Sequence, residues 1–134
     1  MKRKRKSPSS SSSLTDVEWA IMNVVWAHEP CAAGTVQEAL AESHGWAYST
    51  VKTTMDRMVA KGLLTTKPVR NLHLFSSRIS RNDAKRGELR RVLKRAFGGA
   101  LSPMIQFLVD EEELSPEQIR QIEEIVNRSK RAGK

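Results

Sequence analysis

The sequence predicts a mainly α-helical fold with a small β-hairpin wing, and three observations support this. Three helical patterns follow one another between residues 14 and 61. Two short β-like runs come next, within residues 63–77. Amphipathic helical patterns then fill the chain to residue 129. Three helices followed by a hairpin is the element order of a winged helix-turn-helix, so we expect that architecture, extended by C-terminal helices.

Composition limits the class of protein. The 134 residues suffice for one domain with an appendage. The net charge of +8 favours a polyanionic partner, and it is concentrated at residues 2–6 and 69–95. Cys31 is the only cysteine, so neither an internal disulfide nor a thiolate metal cluster is expected. No apolar core follows the basic N-terminus, so a signal peptide is not expected, and no apolar run has membrane-spanning length. We therefore expect a cytoplasmic protein without membrane insertion.

The first two helices follow a basic, Ser-rich tail at residues 1–13, which is predicted to be disordered because it has little apolar surface to bury. A DNA-binding domain is expected over 14–79. "TDVE" at 15–18 has the spacing of a capping box and opens a helix that runs to about 28, apolar on nearly all sides. A second helix fits 33–43, with Val36, Ala39 and Leu40 facing inward.

The third helix is predicted over 49–61. Its buried side carries Val51, Met55 and Met58 at the spacing i, i+4, i+7, and Gly62 ends it. The runs "LLTTKP" and "LHLFSS", placed around "VRN", predict a hairpin.

The C-terminal part, 80–129, is predicted to be a helical dimerisation region. "SRND" at 80–83 caps a helix that runs to Phe97, where two glycines stop it. Ser-Pro pairs at 102 and 115 predict Ser as the N-cap of two further helices, at about 103–109 and 116–129. Residues 130–134 are predicted to form a disordered end.

The outer face of the third helix raises the functional question, because it carries mainly small hydroxyl side chains in a strongly cationic protein. In a winged helix-turn-helix this helix enters the major groove of DNA, where short side chains approach the bases closely. Lys52 and Arg57 are long enough to reach guanine edges or phosphates, and Thr53 offers a methyl group to thymine. The predicted DNA-binding residues, in the helix and the wing, are Ser49, Thr50, Lys52, Thr53, Asp56, Arg57, Lys61, Arg70, Asn71 and His73.

The stretch "WAYSTVKTTMDRMVAKGLL" resembles the recognition-helix signature of the penicillinase repressor (BlaI/MecI/CopY) family of winged-helix transcriptional regulators. "EWAIMNVVW" at 18–26 is similar to the first helix of that family, and "FGG" at 97–99 to the end of its fourth. The resemblance covers about residues 14–128. It implies a sequence-specific repressor that binds a pseudo-palindromic operator on double-stranded DNA as a homodimer, without a cofactor.

Apolar stripes in the C-terminal helices also predict a homodimer, because so small a domain would otherwise leave them in water. The expected dimerisation residues are Leu93, Phe97, Met104, Ile105, Phe107, Leu108, Ile119, Ile122, Ile125 and Val126.

The resemblance suggests how repression is relieved but does not decide it. Relatives controlled by a β-lactam-sensing receptor are cut at an Asn-Phe bond, so a regulatory protease or a membrane sensor is a candidate partner. That bond aligns with Phe107–Leu108 here, and the asparagine is missing. Induction by proteolysis within 104–113 and induction by a small ligand both remain open.

The sequence does not favour a metal-binding or catalytic function. The three histidines share no ligand spacing with Cys31, and the paired cysteines of the copper-responsive branch are missing, so no metal site is predicted. No nucleophile, base and orienter occur together, so an enzyme is not expected. The alternatives are a winged helix that binds RNA, or DNA without sequence preference, and a winged helix that binds only protein.

Overall fold

A computed structural model describes residues 14–133. The described chain forms six helices and one antiparallel hairpin: α1 Asp16–His28, α2 Ala33–His44, α3 Tyr48–Ala60, β1 Leu64–Val69, β2 Leu72–Ser77, α4 Arg81–Phe97, α5 Leu101–Glu111 and α6 Pro116–Gly133. This confirms the mainly helical class with a hairpin wing. The predicted tail at 1–13 lies outside the described residues.

Local sequence sets the limits of the first three helices. The predicted capping box is present at α1, since the Thr15 hydroxyl accepts from the Glu18 amide and the Glu18 carboxylate accepts from the Thr15 amide. Gly45, at a φ of +65°, ends α2 and begins the tight turn to α3. Gly62 takes a φ of +84° after α3, and the Leu63 amide donates back to the Met58 carbonyl.

The hairpin pairs Leu64 with Ser77 at its base and Val69 with Leu72 at its tip. A two-residue turn of Arg70 and Asn71 therefore joins the strands. Cys31 extends the sheet, because its amide and carbonyl exchange hydrogen bonds of 3.0 and 2.7 Å with Phe75. The wing is thus fixed to the segment between α1 and α2.

Residue contacts divide the chain into two compact units, one ending at Arg91 and one beginning at Val92. The predicted boundary at 79/80 lies twelve residues before this division. Ile79 and Ala84 are buried in the same apolar core as the first three helices, so the beginning of α4 belongs to the first unit. That core consists of Leu14, Ile21, Met22, Val25, Cys31, Ala33, Val36, Leu40, Val51, Met55, Met58, Leu63, Leu64, Phe75, Ile79 and Ala84.

Three details differ from expectation. Ala39 is exposed, although Val36 and Leu40 are buried as predicted. Helix α5 begins at Leu101 with Ala100 as N-cap, so Ser102 is not the cap. Pro103 is tolerated inside the first turn because the first amides of a helix have no intrahelical partner. Helix α6 extends to Gly133, so the predicted disordered end is helical as far as the structure describes it, with Lys130 and Arg131 favourably placed in its last turn.

Candidate nucleic-acid interface

Helix α3 has one buried face and one exposed face. Val51, Met55 and Met58 are fully buried against the core, as their spacing predicts. The opposite surface carries the exposed residues Ser49, Thr50, Thr53, Asp56 and Arg57. The hydrophobic core therefore fixes the orientation of this helix and leaves a row of short polar side chains facing solvent.

The hydroxyl groups of α3 have two different roles. Thr54 is half-buried, and its Oγ1 donates to the Thr50 carbonyl at 2.8 Å, so this hydroxyl is used inside the helix. Ser49, Thr50 and Thr53 are exposed on the outer surface. The first turn of α3 contains no acidic residue, and its N-cap, Ala47, makes no side-chain capping bond. The positive end of the helix dipole thus meets no carboxylate from its own first turn.

Lys52 and Asp56 form an ion pair along α3. The Lys52 ammonium lies 2.9 and 3.1 Å from the two Asp56 carboxylate oxygens. Their side chains are 34% and 54% exposed, so water screens the pair. Such exposed i,i+4 pairs contribute about 0.3–0.5 kcal/mol. Another anion can therefore replace the Asp56 carboxylate as the partner of Lys52 at a small cost in free energy.

Lys61, a predicted DNA-binding residue, forms an ion pair with α1. Its ammonium donates to the Glu18 carboxylate of α1, which is almost completely buried. Among residues 14–132, Glu18 is the one charged residue in the buried class. The pair ties the end of α3 to the beginning of α1.

The three predicted wing residues lie at the tip of the hairpin and are exposed. Arg70 has a φ of +58°, a left-handed conformation that is uncommon for non-glycine residues. His73 pairs across the ladder with Pro68.

A small cavity of about 110 Å³, open to solvent on one side, lies between the wing and α3. The structure brings together the predicted residues Lys52, Asn71 and His73 in its wall. Arg57 and Lys61 are not part of it. The complete lining is Ala32, Ala33, Tyr48, Lys52, Asn71, Leu72, His73 and Phe75.

Tyr48 is the polar wall residue that the sequence did not assign to DNA binding. It lies in the stretch that resembles the recognition-helix signature, and that resemblance was the available signal for its role. Its side chain is largely exposed at the first position of α3.

Residues outside the predicted site hold the wing in place. The Glu29 carboxylate accepts from the Ser77 amide at 2.7 Å and from the Ser77 hydroxyl at 2.9 Å. The Trp26 indole donates to the Ile79 carbonyl at 2.9 Å. These bonds join α1 to the end of β2 across about 50 residues of chain, so no local sequence pattern could have indicated them.

Titratable and metal-binding groups give no sign of a catalytic or metal centre in the part of the chain that the structure describes. Burial, and secondarily the Glu29 carboxylate, raises the pKa of the Cys31 thiol above its ordinary value. A raised pKa keeps the thiol protonated and unreactive at neutral pH. Over residues 14–133, no group of three His, Cys, Asp or Glu side chains could hold a metal ion. No described helix is both long and apolar enough to span a bilayer.

The second unit exposes most of the predicted dimerisation residues. Ile119 and Ile122 of α6 are 44% and 42% exposed in the single chain. Ile105, Phe107, Leu108, Ile125 and Val126 are exposed as well. Leu93 and Phe97 are half-buried, and Phe97 contacts Phe107 edge to face. Met104, in contrast, is buried within the single chain.

Comparison with known proteins matches residues 14–128 to the penicillinase repressor family. The methicillin resistance regulatory protein MecI of Staphylococcus aureus (strain N315) is 22% identical over 115 residues, which cover 86% of this chain and 94% of that protein. The penicillinase repressor of Bacillus licheniformis is 24% identical over 121 residues, covering 90% and 94%.

Two solved structures are also similar. The DNA-binding domain of the repressor BlaI is 24% identical with a TM-score of 0.47, over 52% of this chain and 85% of that one. The monomeric form of Bacillus licheniformis BlaI in complex with the blaP half-operator is 23% identical with a TM-score of 0.48, over 55% and 89%.

Proposed function

The chain belongs to the penicillinase repressor family, and we propose that it binds a pseudo-palindromic operator as a homodimer and represses transcription there. The family consists of DNA-binding transcriptional repressors and not of enzymes. The BlaI protein of Bacillus licheniformis, a relative, is described in complex with a half-operator. Duplex DNA is therefore the expected partner of this chain. A repressor of this kind acts in the cytoplasm.

The observation that carries the proposal is the exposed face of α3. Short side chains at Ser49, Thr50 and Thr53 allow a close approach to base edges, and a fully buried opposite face holds the helix rigid. Rigid presentation matters because base readout depends on directed hydrogen bonds.

Arg57 is the side chain that we expect to discriminate bases. It is exposed, and no carboxylate lies within ion-pairing distance of it among the described residues. A guanidinium binds the O6 and N7 atoms of guanine through two hydrogen bonds, and a good pair of this kind is worth about 1–3 kcal/mol against a wrong base. Thr53 adds an apolar contact with the methyl group of thymine.

The homodimer rests on the exposed apolar faces of α5 and α6. One copy of the second unit leaves Ile119, Ile122, Ile125 and Val126 in water along one helix. Burial against a symmetric copy removes this surface from solvent, and a twofold axis requires two half-sites of opposite orientation. Half-sites read by two such helices lie about one turn of DNA, roughly 34–36 Å, apart or a multiple of it.

Relief of repression follows from the same architecture. We propose that any regulatory cut falls within residues 104–113, which include most of α5. A regulatory protease, alone or with a membrane sensor, would make this cut. A cut there separates the DNA-binding unit from α6 and so removes the linkage between two half-site contacts. A small ligand is the competing inducer.

Selection from randomised duplexes, followed by sequencing, tests the proposal. We expect the enriched duplexes to share an inverted repeat. Arg57→Ala should relax the preference at one base pair per half-site, because it removes a base contact. Arg131→Ala provides a matched control, since it removes the same charge from the exposed end of α6. Enrichment of no common sequence would favour the alternative, a winged helix that binds nucleic acid without sequence preference.

A further inference from the structure

We propose that the cavity between α3 and the wing seats one phosphate group of the DNA backbone beside each half-site. The inference rests on the proposed function, because it assumes that α3 lies in the major groove. It adds a defined contact that fixes where the helix and the wing sit along the duplex.

The chemistry of the cavity wall is the first argument. Four polar side chains line it, and each can donate a hydrogen bond: the Tyr48 hydroxyl, the Lys52 ammonium, the Asn71 amide and the His73 ring. No carboxylate is among the lining residues. A group with several acceptor oxygens and negative charge complements such a wall, and a phosphodiester has both properties.

The size of the cavity is the second argument. At about 110 Å³ it is well below the roughly 300–1,000 Å³ typical of drug-sized ligand sites. A compact anionic group fits it better than an organic effector does. Its apolar part is provided by buried Phe75 and Ala33.

The ion pair within α3 is the third argument. Asp56 holds the Lys52 ammonium through an exposed, water-screened contact while Lys52 also lines the cavity. Phosphate oxygens can replace Asp56 as the partner of Lys52 at little cost. Lys52 is thereby assigned to the backbone, and base discrimination is left to Arg57 and Thr53.

The hydrogen-bond donors of the cavity come from two different elements. Tyr48 and Lys52 come from α3, whereas Asn71 and His73 come from the wing. A single phosphate held from both sides fixes the wing and the recognition helix in one register on the DNA. Phosphate contacts position a protein in this way without reading sequence themselves.

Methylphosphonate scanning of the selected operator tests the inference. Each duplex carries one neutral methylphosphonate in place of one phosphate, and affinity is measured for the full-length wild type and for Tyr48→Phe, Asn71→Ala and His73→Ala. One position in each half-site should weaken wild-type binding by about tenfold, as expected for a lost charge-assisted contact. All three variants should bind the unmodified operator less tightly and lose sensitivity at that same position.

Lys67→Ala provides the matched control. Lys67 lies on β1, is exposed and does not line the cavity, so this variant should keep the full sensitivity at the critical position. A second arm adds inorganic phosphate at constant ionic strength, and it should not release the operator. Release by inorganic phosphate, with loss of that effect in Asn71→Ala, would show a free-anion site and overturn the proposal.

The outcomes separate this inference from the proposed function. A wild type that prefers its selected operator, but has no position coupled to Tyr48, Asn71 or His73, contradicts the phosphate seat and leaves the repressor assignment intact. A wild type without any sequence preference contradicts the repressor assignment itself.

Discussion

Lys61 at the end of α3 and Glu18 in the first turn of α1 form an ion pair across 43 residues of chain. The Glu18 side chain is only 8% exposed, and its second oxygen accepts from the Thr15 amide at 3.0 Å. One carboxylate therefore caps α1 and holds the C-terminal end of the recognition helix. The orientation of α3 is thus tied to the helix that precedes the helix-turn-helix pair.

The first prediction concerns this pair. Lys61→Met keeps the apolar stem but leaves the buried Glu18 carboxylate without its cation, so the free energy of unfolding should fall by about 1–3 kcal/mol. Urea denaturation measures the loss. Lys67→Met is the control, because Lys67 is exposed on β1, and it should be nearly neutral. A Lys61→Met protein of unchanged stability would contradict a stabilising role for the pair, and weak DNA binding by that protein would support the predicted DNA contact of Lys61.

The second prediction concerns the apolar face of α6. Ile122→Asp places a charge in the middle of the exposed stripe and should convert a dimer into monomers, with a large loss of operator affinity. Asn127→Asp adds the same charge elsewhere on α6 and should leave the dimer intact. Sedimentation at micromolar concentration reports the state of both. A monomeric wild type would contradict the proposed dimer.

The third prediction concerns Cys31 and alkaline pH. The folded-state pKa of this thiol is raised above its ordinary value of 9.0, because the buried thiol resists ionisation. The unfolded chain therefore loses its thiol proton first as pH rises, and the resulting stabilisation of the fold is complete below pH 9.0 and declines above it. Urea denaturation between pH 7 and 10 should show a steeper loss in the wild type than in Cys31→Ala. Equal slopes would mean that the thiol titrates alike in both states.

Local patterns predicted most of the fold. Capping signals, glycines and helical periodicity act within a few residues, so the first four helices and the hairpin lie close to their predicted limits. The prediction of Ser102 as the N-cap of α5 was wrong. Gly98 and Gly99 both take positive φ, and the chain enters the helix at Leu101, one residue before the Ser-Pro pair.

The site was less predictable than the fold. The exposed face of α3 follows from the spacing of Val51, Met55 and Met58, and so the sequence was sufficient to identify it. The role of Lys61 depends on a partner 43 residues away, and many acidic residues were equally eligible in sequence. The cavity exists because the wing lies beside α3. Long-range hydrogen bonds, such as the one from the Ser77 amide to the Glu29 carboxylate, determine that placement.

The fourth prediction concerns induction. If proteolysis relieves repression, intact-mass analysis of the protein from induced cells should give two fragments whose junction lies within residues 104–113. Residues 101–111 are helical, so the helix must unwind locally before a protease can act. A full-length chain that leaves its operator under the same conditions would exclude proteolysis and favour a ligand or a protein partner.

The central claim is sequence-specific operator binding, and one titration tests it most directly. The full-length protein is titrated against its selected palindrome and against a random duplex of equal length, over a series of salt concentrations. We predict that the protein binds the palindrome at least about 10³-fold more tightly than the random duplex. This ratio should persist when the affinities are extrapolated to high salt, where the phosphate contribution is lost. Equal affinities for the two duplexes at every salt concentration would contradict the account and show that only the positive charge of the protein binds DNA.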